Sequence, residues 1–291
     1  NLPDVKSVYD VPNNILKSGV VPILDGFLGD FRACECGCGC ETGDKEKCVK
    51  EVNLSEWKDF SKKSAKKYEK RVKIGIVTDY IGNDDVYISV MEALKAAAVW
   101  CEVGVDFAWV KRESGMDFGG LDAVIEPEGF LRMGDEDAMI LAKRAGLPYL
   151  GLGDEQGEKN TGEHKIYTED DDLIKNVYNI NRGGDGVELA ERYRFLKKIG
   201  LEEEKRMKEL GLVAVAMVET ELGKFGEFVK MEGVKEFFLM CQAHPEFRSR
   251  PLRVHPIFMS FMKAIINKKE KNNSKKEDKN EHNRIFENRR R

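Results

Sequence analysis

The chain has 291 residues, of which 41% are apolar and 34% are charged, with a formal net charge of −4. This length and apolar content allow one sizeable core with appendages, and no apolar run approaches the roughly 18 residues that a membrane span needs. The composition therefore excludes a membrane-spanning class, and since no signal peptide is visible at the N-terminus we expect a cytoplasmic setting.

The first segments of the chain are short and weakly patterned. Residues 1–30 contain the alternating stretch Val5–Pro12, which predicts a short strand followed by a weak helix. This segment is too small to fold alone. Residues 31–71 hold a cysteine-rich stretch and then a Lys-rich segment from Leu54, which predicts a linker helix with Ser55 as its N-cap.

The cysteine-rich stretch contains Cys34, Cys36, Cys38 and Cys40, with Cys48 beyond. Alternating cysteines place thiols on one side of an extended chain, and the glycines between them let it curl around a soft metal. Zinc sites usually pair Cys-x2-Cys with a second pair further along, and the spacing also differs from the common iron–sulfur runs. A metal- or redox-sensing module and a disordered loop with thiols are the two interpretations.

An alternation of strands and helices begins at Val72 and continues to about residue 267. Buried apolar runs predict strands, and amphipathic stretches between them predict helices, which together indicate a parallel sheet with helices on both faces. The predicted strands are 72–77, 103–110, 121–125, 148–152, 213–218 and 236–241, and the predicted helices are 84–95, 135–145 and 256–266.

The C-terminal residues 268–291 contain ten lysines and arginines against five acidic residues, so the tail is basic and the body acidic. Lys, Asn and Glu dominate this stretch, which predicts a disordered tail. Phe286 is its only aromatic residue. Without aromatic residues among the basic ones, we expect no specific binding of nucleic acid.

The strongest chemical signal is the run Gln242–Leu252, which contains His244 and Glu246. Two residues that are two positions apart in an extended segment point to the same side, so a carboxylate can hold an imidazole as a general base. Acyl transfer by such a pair also requires a nucleophile.

Several separated segments resemble CTP synthase. The run from His244 to Pro256 is similar to the end of the family's glutamine amidotransferase domain, and the strand and helix within Ile74–Lys95 are similar to the opening of that domain. Asp4–Pro12 resembles the end of the preceding synthetase domain, and Leu54–Trp57 resembles the interdomain linker. These segments occur in the family's order.

The resemblance implies an α/β domain of the class I glutamine amidotransferase type over residues 72–267, with a mostly parallel central sheet flanked by helices. Residues 1–30 would be the end of a synthetase domain, and residues 31–71 an insert and linker. The implied activity is hydrolysis of L-glutamine, which supplies ammonia for conversion of UTP to CTP. ATP, UTP and Mg²⁺ would be bound by the synthetase domain, so we expect no cofactor in this chain. The synthetase domain would be its partner, in a homo-oligomer.

The chain departs from the family at the nucleophile. The family's cysteine lies on a strand–turn–helix elbow, and Gly153 occupies that position here, followed by Asp154 and Glu155. Glycine has no side chain that could attack an amide carbon, and a carboxylate beside another anion is a weak nucleophile. The other thiols of the domain, Cys101 and Cys241, fall in or next to predicted strands and are interpreted as buried structural thiols.

The oxyanion loop also differs. The family shows Pro-Gly-Gly-Phe-Gly where this chain has Pro127–Leu131. Gly129 and Phe130 are the candidate residues of this loop, since a glycine lets backbone N–H groups approach a developing oxyanion closely. Glu128 would add negative charge against the transition state.

The substrate-binding segment is shorter than in the family between Gln156 and Glu188. Gln156 is one candidate for substrate binding. Arg192 and Arg194 are both candidates for pairing with the substrate's α-carboxylate, because a guanidinium can bind a carboxylate through two parallel hydrogen bonds. The choice between the two arginines stays open.

Three functional hypotheses follow. The first is a glutamine amidotransferase domain of a CTP synthase, degenerate and weak or inactive. The second is a pseudoenzyme that acts as a structural or docking domain for a synthetase domain. The third is a metal- or redox-sensing module built on the cysteine-rich stretch.

Overall fold

A computed structural model describes residues 7–19, 54–81, 85–134, 137–153, 157–168, 171–179, 188–221 and 223–290. The chain forms two compact units, Asn1–Lys67 and Tyr68–Arg291. The cysteine-rich stretch lies outside the described residues, so its predicted metal- or redox-sensing role stays a prediction.

The first unit contains a 3-10 helix at Val8–Asp10, helix α1 at Val11–Lys17 and helix α2 at Ser55–Ser64. The predicted strand is therefore wrong over residues 8–12, because Pro12 lies in the first turn of α1, where its missing N–H costs no helical hydrogen bond. Ser55 begins α2 and Leu54 is the N-cap, so the predicted cap is displaced by one residue. Within this unit, Trp57 links α2 to the 3-10 helix by donating its indole N–H to the carbonyl oxygen of Tyr9 at 2.6 Å.

The second unit is built on one nine-stranded sheet with the order β2-β1-β3-β4-β9-β8-β7-β5-β6. The five neighbouring strands β2, β1, β3, β4 and β9 run parallel to one another. The pairs β9–β8, β8–β7, β7–β5 and β5–β6 are antiparallel. The sheet is therefore mixed, with a parallel half like the one the sequence predicts. The strands are β1 Arg71–Thr78, β2 Gly104–Lys111, β3 Ala123–Pro127, β4 Tyr149–Leu152, β5 Glu158–Thr168, β6 Glu188–Leu196, β7 Leu212–Thr220, β8 Gly223–Met231 and β9 Phe238–Cys241.

Five helices accompany the described strands. They are α3 Ile88–Trp100, α4 Ala138–Arg144, α5 Asp172–Tyr178, α6 Leu201–Leu210 and α7 Pro256–Arg290. Alternate residues of the central strands supply two separate buried clusters. Leu150 and Leu239 pack with residues of α3 and α7, whereas Tyr149 and Phe238 pack with residues of α4 and α6. This alternation is the two-sided burial expected of parallel strands between two helical layers.

Helix α7 differs from the sequence prediction, which ended the helix at residue 266 and placed a disordered tail from 268. The structure continues the helix through Arg290. No Gly or Pro follows Pro256, and Lys, Glu and Arg are good helix formers. Two ion pairs also fix its middle, one from Lys269 Nζ to Asp122 Oδ2 at 2.6 Å and one between Glu270 and Lys70 at 3.0 Å.

In the described part of the chain, none of the helices combines the length and apolar content needed to cross a membrane. The same residues contain no group of three or more His, Cys, Asp or Glu side chains arranged to hold a metal ion.

Candidate functional site

Gly153 forms the turn at the carboxyl end of β4. Its φ of +64° lies in the left-handed region that glycine tolerates best, and its N–H donates to the carbonyl oxygen of Cys241 at 2.8 Å. A Cβ atom added at this position would lie 2.6 Å from Cε1 and 2.9 Å from Nε2 of His244. The structure therefore brings together the two positions that the sequence analysis assigns to the nucleophile and the base.

His244 follows β9 and forms a pair with Glu246. Its Nδ1 lies 2.8 Å from Oε1 of Glu246, and the exposed fractions of the two residues are only 9% and 7%. The intervening segment is a 3-10 helix at Pro245–Phe247, so the predicted extended backbone is wrong, although the two side chains do meet. If Nδ1 carries the proton that Glu246 accepts, Nε2 is left as an acceptor beside Gly153.

Besides the contact with Glu246, two further contacts hold His244 in place. It stacks on Phe247 with ring centroids 5.2 Å apart and an interplanar angle of 21°. The backbone N–H of His244 donates to the carbonyl oxygen of Arg192 at 2.8 Å, which attaches the turn to β6. Because a Cβ at position 153 would overlap the ring, the imidazole here occupies space that a side chain at 153 would need.

The next element that the structure describes after the Gly153 turn is strand β5, which begins at Glu158. Of the residues between the turn and this strand, only Gly157 is described.

The loop after β3 places its backbone donors against the Gly153 turn. Gly129 N–H donates to the carbonyl oxygen of Leu152 at 3.2 Å, and Phe130 N–H donates to that of Gly153 at 3.1 Å. A Cβ at Gly129 would lie 2.6 Å from the carbonyl oxygen of Glu126, so this position requires glycine. The two residues predicted to form the oxyanion loop thus lie at the site, but both N–H groups are already paired.

A buried ion pair lies beneath this loop. Glu126 is 1% exposed, and its carboxylate accepts from Arg112 Nε at 3.0 Å and from Tyr149 Oη at 2.6 Å. Arg112 also donates to the carbonyl oxygen of Pro127 at 3.2 Å and pairs with Asp79. Burial raises the pKa of Glu126, while the hydrogen bond from Tyr149 and the charge of Arg112 oppose that rise. The sequence analysis missed this network, although a glutamate within an apolar strand was a visible signal.

A small cavity of about 100 Å³ lies beside the His244–Glu246 pair. It is large enough for roughly three water molecules. Its polar lining consists of Tyr87, Ser89, Glu128, Arg194, His244 and Glu246. Arg194 lines the cavity and Arg192 does not, so the structure distinguishes the two arginines between which the sequence could not choose. Tyr87 Oη donates to Glu128 Oε1 at 2.9 Å, and burial raises the pKa of Tyr87.

Three residues of the sequence-predicted site, namely Asp154, Glu155 and Gln156, lie outside the described part of the chain. The thiols of Cys101 and Cys241 are described, and burial raises the pKa of both. Cys241 is fully buried in β9 and Cys101 partly buried at the end of α3. Neither is activated as a nucleophile, in agreement with the structural role expected for them.

The fold is that of a class I glutamine amidotransferase-like α/β domain. The glutaminase domain of Trypanosoma brucei CTPS, solved with bound acivicin, matches 67% of this chain and 94% of that chain, with a TM-score of 0.53 and 20% identity. At that level of identity, the likeness shows the fold alone.

Curated CTP synthases extend this similarity to the sequence. The chain is 29% identical to the CTP synthase of Methanothermobacter thermautotrophicus, with 91% of this chain and 54% of the relative covered. It is 28% identical to that of Saccharopolyspora erythraea, with 91% and 52% covered. The resemblance to CTP synthase is thus confirmed, and the chain spans about half the length of these relatives. No family model matches the chain.

Proposed function

We propose that this chain is the glutamine amidotransferase-like domain of a CTP synthase and that it has lost glutamine hydrolysis. The observation that carries the proposal is the Gly153 turn. The backbone supplies a left-handed turn directly against His244, but no side chain at that position can attack an amide carbon. A base without a nucleophile cannot form a glutamyl thioester.

The surroundings of the turn support the same conclusion. The N–H groups of Gly129 and Phe130, the candidates for stabilising an oxyanion, are already paired with backbone carbonyls. Glu128 adds a carboxylate to the cavity where negative charge would develop. The reaction needs a thiol to attack the amide carbon and free N–H donors to stabilise the oxyanion that then forms. Restoring the thiol alone would therefore leave the oxyanion without donors.

In this proposal the domain acts in the cytoplasm on a synthetase domain that binds ATP, UTP and Mg²⁺. Free ammonia, instead of glutamine, would then feed the amination of UTP. The domain would contribute by docking on the synthetase domain or by supporting a homo-oligomer. Binding of the purified chain to the synthetase domain of a relative, measured by size-exclusion chromatography, tests this docking role. Absence of a complex would contradict it.

The hydrolytic proposal is tested by glutamate release from glutamine. We expect no release by the unaltered chain, because position 153 carries no thiol. Gly153→Cys supplies the thiol, and Gly153→Ala is the matched control, since it adds the same Cβ without sulfur. We expect little recovery in Gly153→Cys, because its Cβ must displace the His244 ring and the oxyanion donors stay paired.

Two outcomes of that assay differ in meaning. Glutamate release by the unaltered chain would overturn the proposal and the placement of the nucleophile at 153. Strong release by Gly153→Cys with none by Gly153→Ala would keep the placement but would contradict the argument that the remaining site is unfit for catalysis.

A further inference from the structure

Glu227 lies on β8 directly behind the segment that presents His244. It is fully buried, and it makes two hydrogen bonds to successive residues of that segment. Its backbone carbonyl accepts from Gln242 N–H at 3.2 Å, and its side-chain Oε1 accepts from Ala243 N–H at 3.2 Å. Since His244 N–H bonds to Arg192, three consecutive N–H groups fix the path of the chain into the site.

Among the described residues, none of the groups that act electrostatically on Glu227 carries a positive charge. They are Tyr193 and Glu191 from β6, Tyr178 from α5 and Cys241 from β9. Glu191 is itself held by Tyr178 Oη at 2.9 Å and His255 Nε2 at 2.7 Å. An ionised Glu227 would therefore be a buried charge without a counter-ion, beside a second carboxylate.

Orphan polar atoms concentrate at the same place. Within the described residues, Oε2 of Glu227, Oε2 of Glu191 and Oη of Tyr193 are buried and lack a hydrogen-bond partner of acceptable geometry. If Glu227 is protonated, its carboxyl group gains an O–H donor that these unpaired oxygens can accept. If Glu227 is ionised, the carboxylate oxygens of Glu227 and Glu191 are all acceptors and need further donors. Burial and the neighbouring carboxylate of Glu191 raise the pKa of Glu227 to about 8, against the opposing effects of the nearby Tyr193 hydroxyl and the Ala243 N–H.

We propose that Glu227 is a positioning residue that, as a neutral carboxyl group, fixes the Gln242–His244 segment, and that its ionisation loosens this segment. The neutral group keeps Oε1 as acceptor for Ala243 N–H. An ionised Glu227 would be repelled by Glu191 and drawn towards water, and the resulting displacement of its side chain would break the contact with Ala243 N–H that sets where His244 lies. The proposal takes His244 as the centre of the proposed site but does not depend on glutamine hydrolysis.

The position of His244 can be followed directly by NMR, because the chain has only four histidines. We would record the imidazole Cε1–H resonances of the whole chain between about pH 5.5 and 9. In the unaltered chain, the His244 resonance is expected to show an inflection near pH 8. In Glu227→Gln, which is isosteric with the neutral acid, the inflection should vanish while the resonance at low pH keeps its position.

Each alternative result contradicts the proposal. An unchanged inflection in Glu227→Gln would assign the titration to another group. A displaced resonance at low pH in that variant would show that the native carboxyl is not neutral. If Glu227→Gln does not fold, the infrared carbonyl band of a protonated carboxyl in the unaltered chain decides, since it must disappear between about pH 7 and 9. Glutamate release plays no part in these readouts, so failure of the proposed function leaves them interpretable.

Discussion

At the scale of single residues, one glutamate lies near the end of β3 and another in the loop that follows it, and each has hydrogen-bond partners. Glu126 is paired by Arg112 and Tyr149 inside the protein, and Glu128 accepts from Tyr87 at the edge of the cavity. A buried carboxylate without such partners would be costly or would take up a proton. Both glutamates therefore lie close to Gly129, and a site that stabilises an oxyanion would instead present hydrogen-bond donors there.

The ion pair beneath the loop should be essential to folding. Arg112→Ala leaves Glu126 as a buried, uncompensated carboxylate, and removing one partner of a buried pair typically costs about 3–5 kcal/mol. We expect a loss of that size in the free energy of unfolding, measured with urea. Lys111→Ala is the matched control, because Lys111 is an exposed neighbour whose ammonium group pairs with exposed Glu113. Equal losses in the two variants would contradict the assignment.

At the scale of elements, the parallel half of the sheet was predictable and the antiparallel half only in part. β3 and β4 are buried along their whole length and β1 is buried from Ile74 onward, and such mainly apolar runs are typical of strands between two helical layers. β5 and β6 alternate charged and buried residues, and the sequence analysis missed them.

The candidate site was predictable where local sequence determines it. Gly153, His244 and Glu246 were identified from motif and resemblance, and the structure brings them together. Tyr87 and Arg112 could not be identified, because they come from separate elements and reach the loop only after the sheet has formed. The choice of Arg194 over Arg192 likewise depended on which side chain of β6 faces the cavity, a question of register across strands that spacing alone does not answer.

The length of α7 gives a test at this scale. A chain ending at Ser274 keeps the Lys269–Asp122 pair and removes the later part of the helix. We expect its far-ultraviolet helical signal to fall, with the midpoint of urea unfolding unchanged. A chain ending at Asn267 also loses both ion pairs of the helix, the one from Lys269 to Asp122 and the one between Glu270 and Lys70, and its free energy of unfolding should be lower by up to about 1 kcal/mol. If the chain ending at Asn267 kept the full helical signal, that result would instead support the disordered tail that the composition predicted.

At the scale of the whole molecule, buried acids make the stability depend on pH. The pKa of Glu227 is about 8 in the folded chain, against an ordinary value of 4.5, so the folded state holds a proton that the unfolded chain has released between these values. The free energy of unfolding attributable to Glu227 should therefore be greatest below about pH 4.5, and should fall by about 1.4 kcal/mol per pH unit up to about pH 8.

Glu227→Gln should remove that contribution, so its stability relative to the unaltered chain should rise with pH. Urea unfolding at several pH values within this window measures the difference. Glu219→Gln, which changes an exposed glutamate on β7, is the control and should leave the slope unaltered. Parallel pH dependences for Glu227→Gln and the unaltered chain would show that Glu227 is ionised in the folded state.

The bare backbone at position 153 also determines how the domain responds to covalent inhibitors. A glutamine-like electrophile forms its bond with a thiolate, and Gly153 offers no atom for that bond. The described thiols cannot substitute, because burial holds the pKa of both Cys101 and Cys241 above the ordinary range. In a mixture with glutaminases that carry the cysteine, we expect this site to stay unlabelled while theirs are inactivated, so the proposed loss of the nucleophile would also make the domain insensitive to such inhibitors.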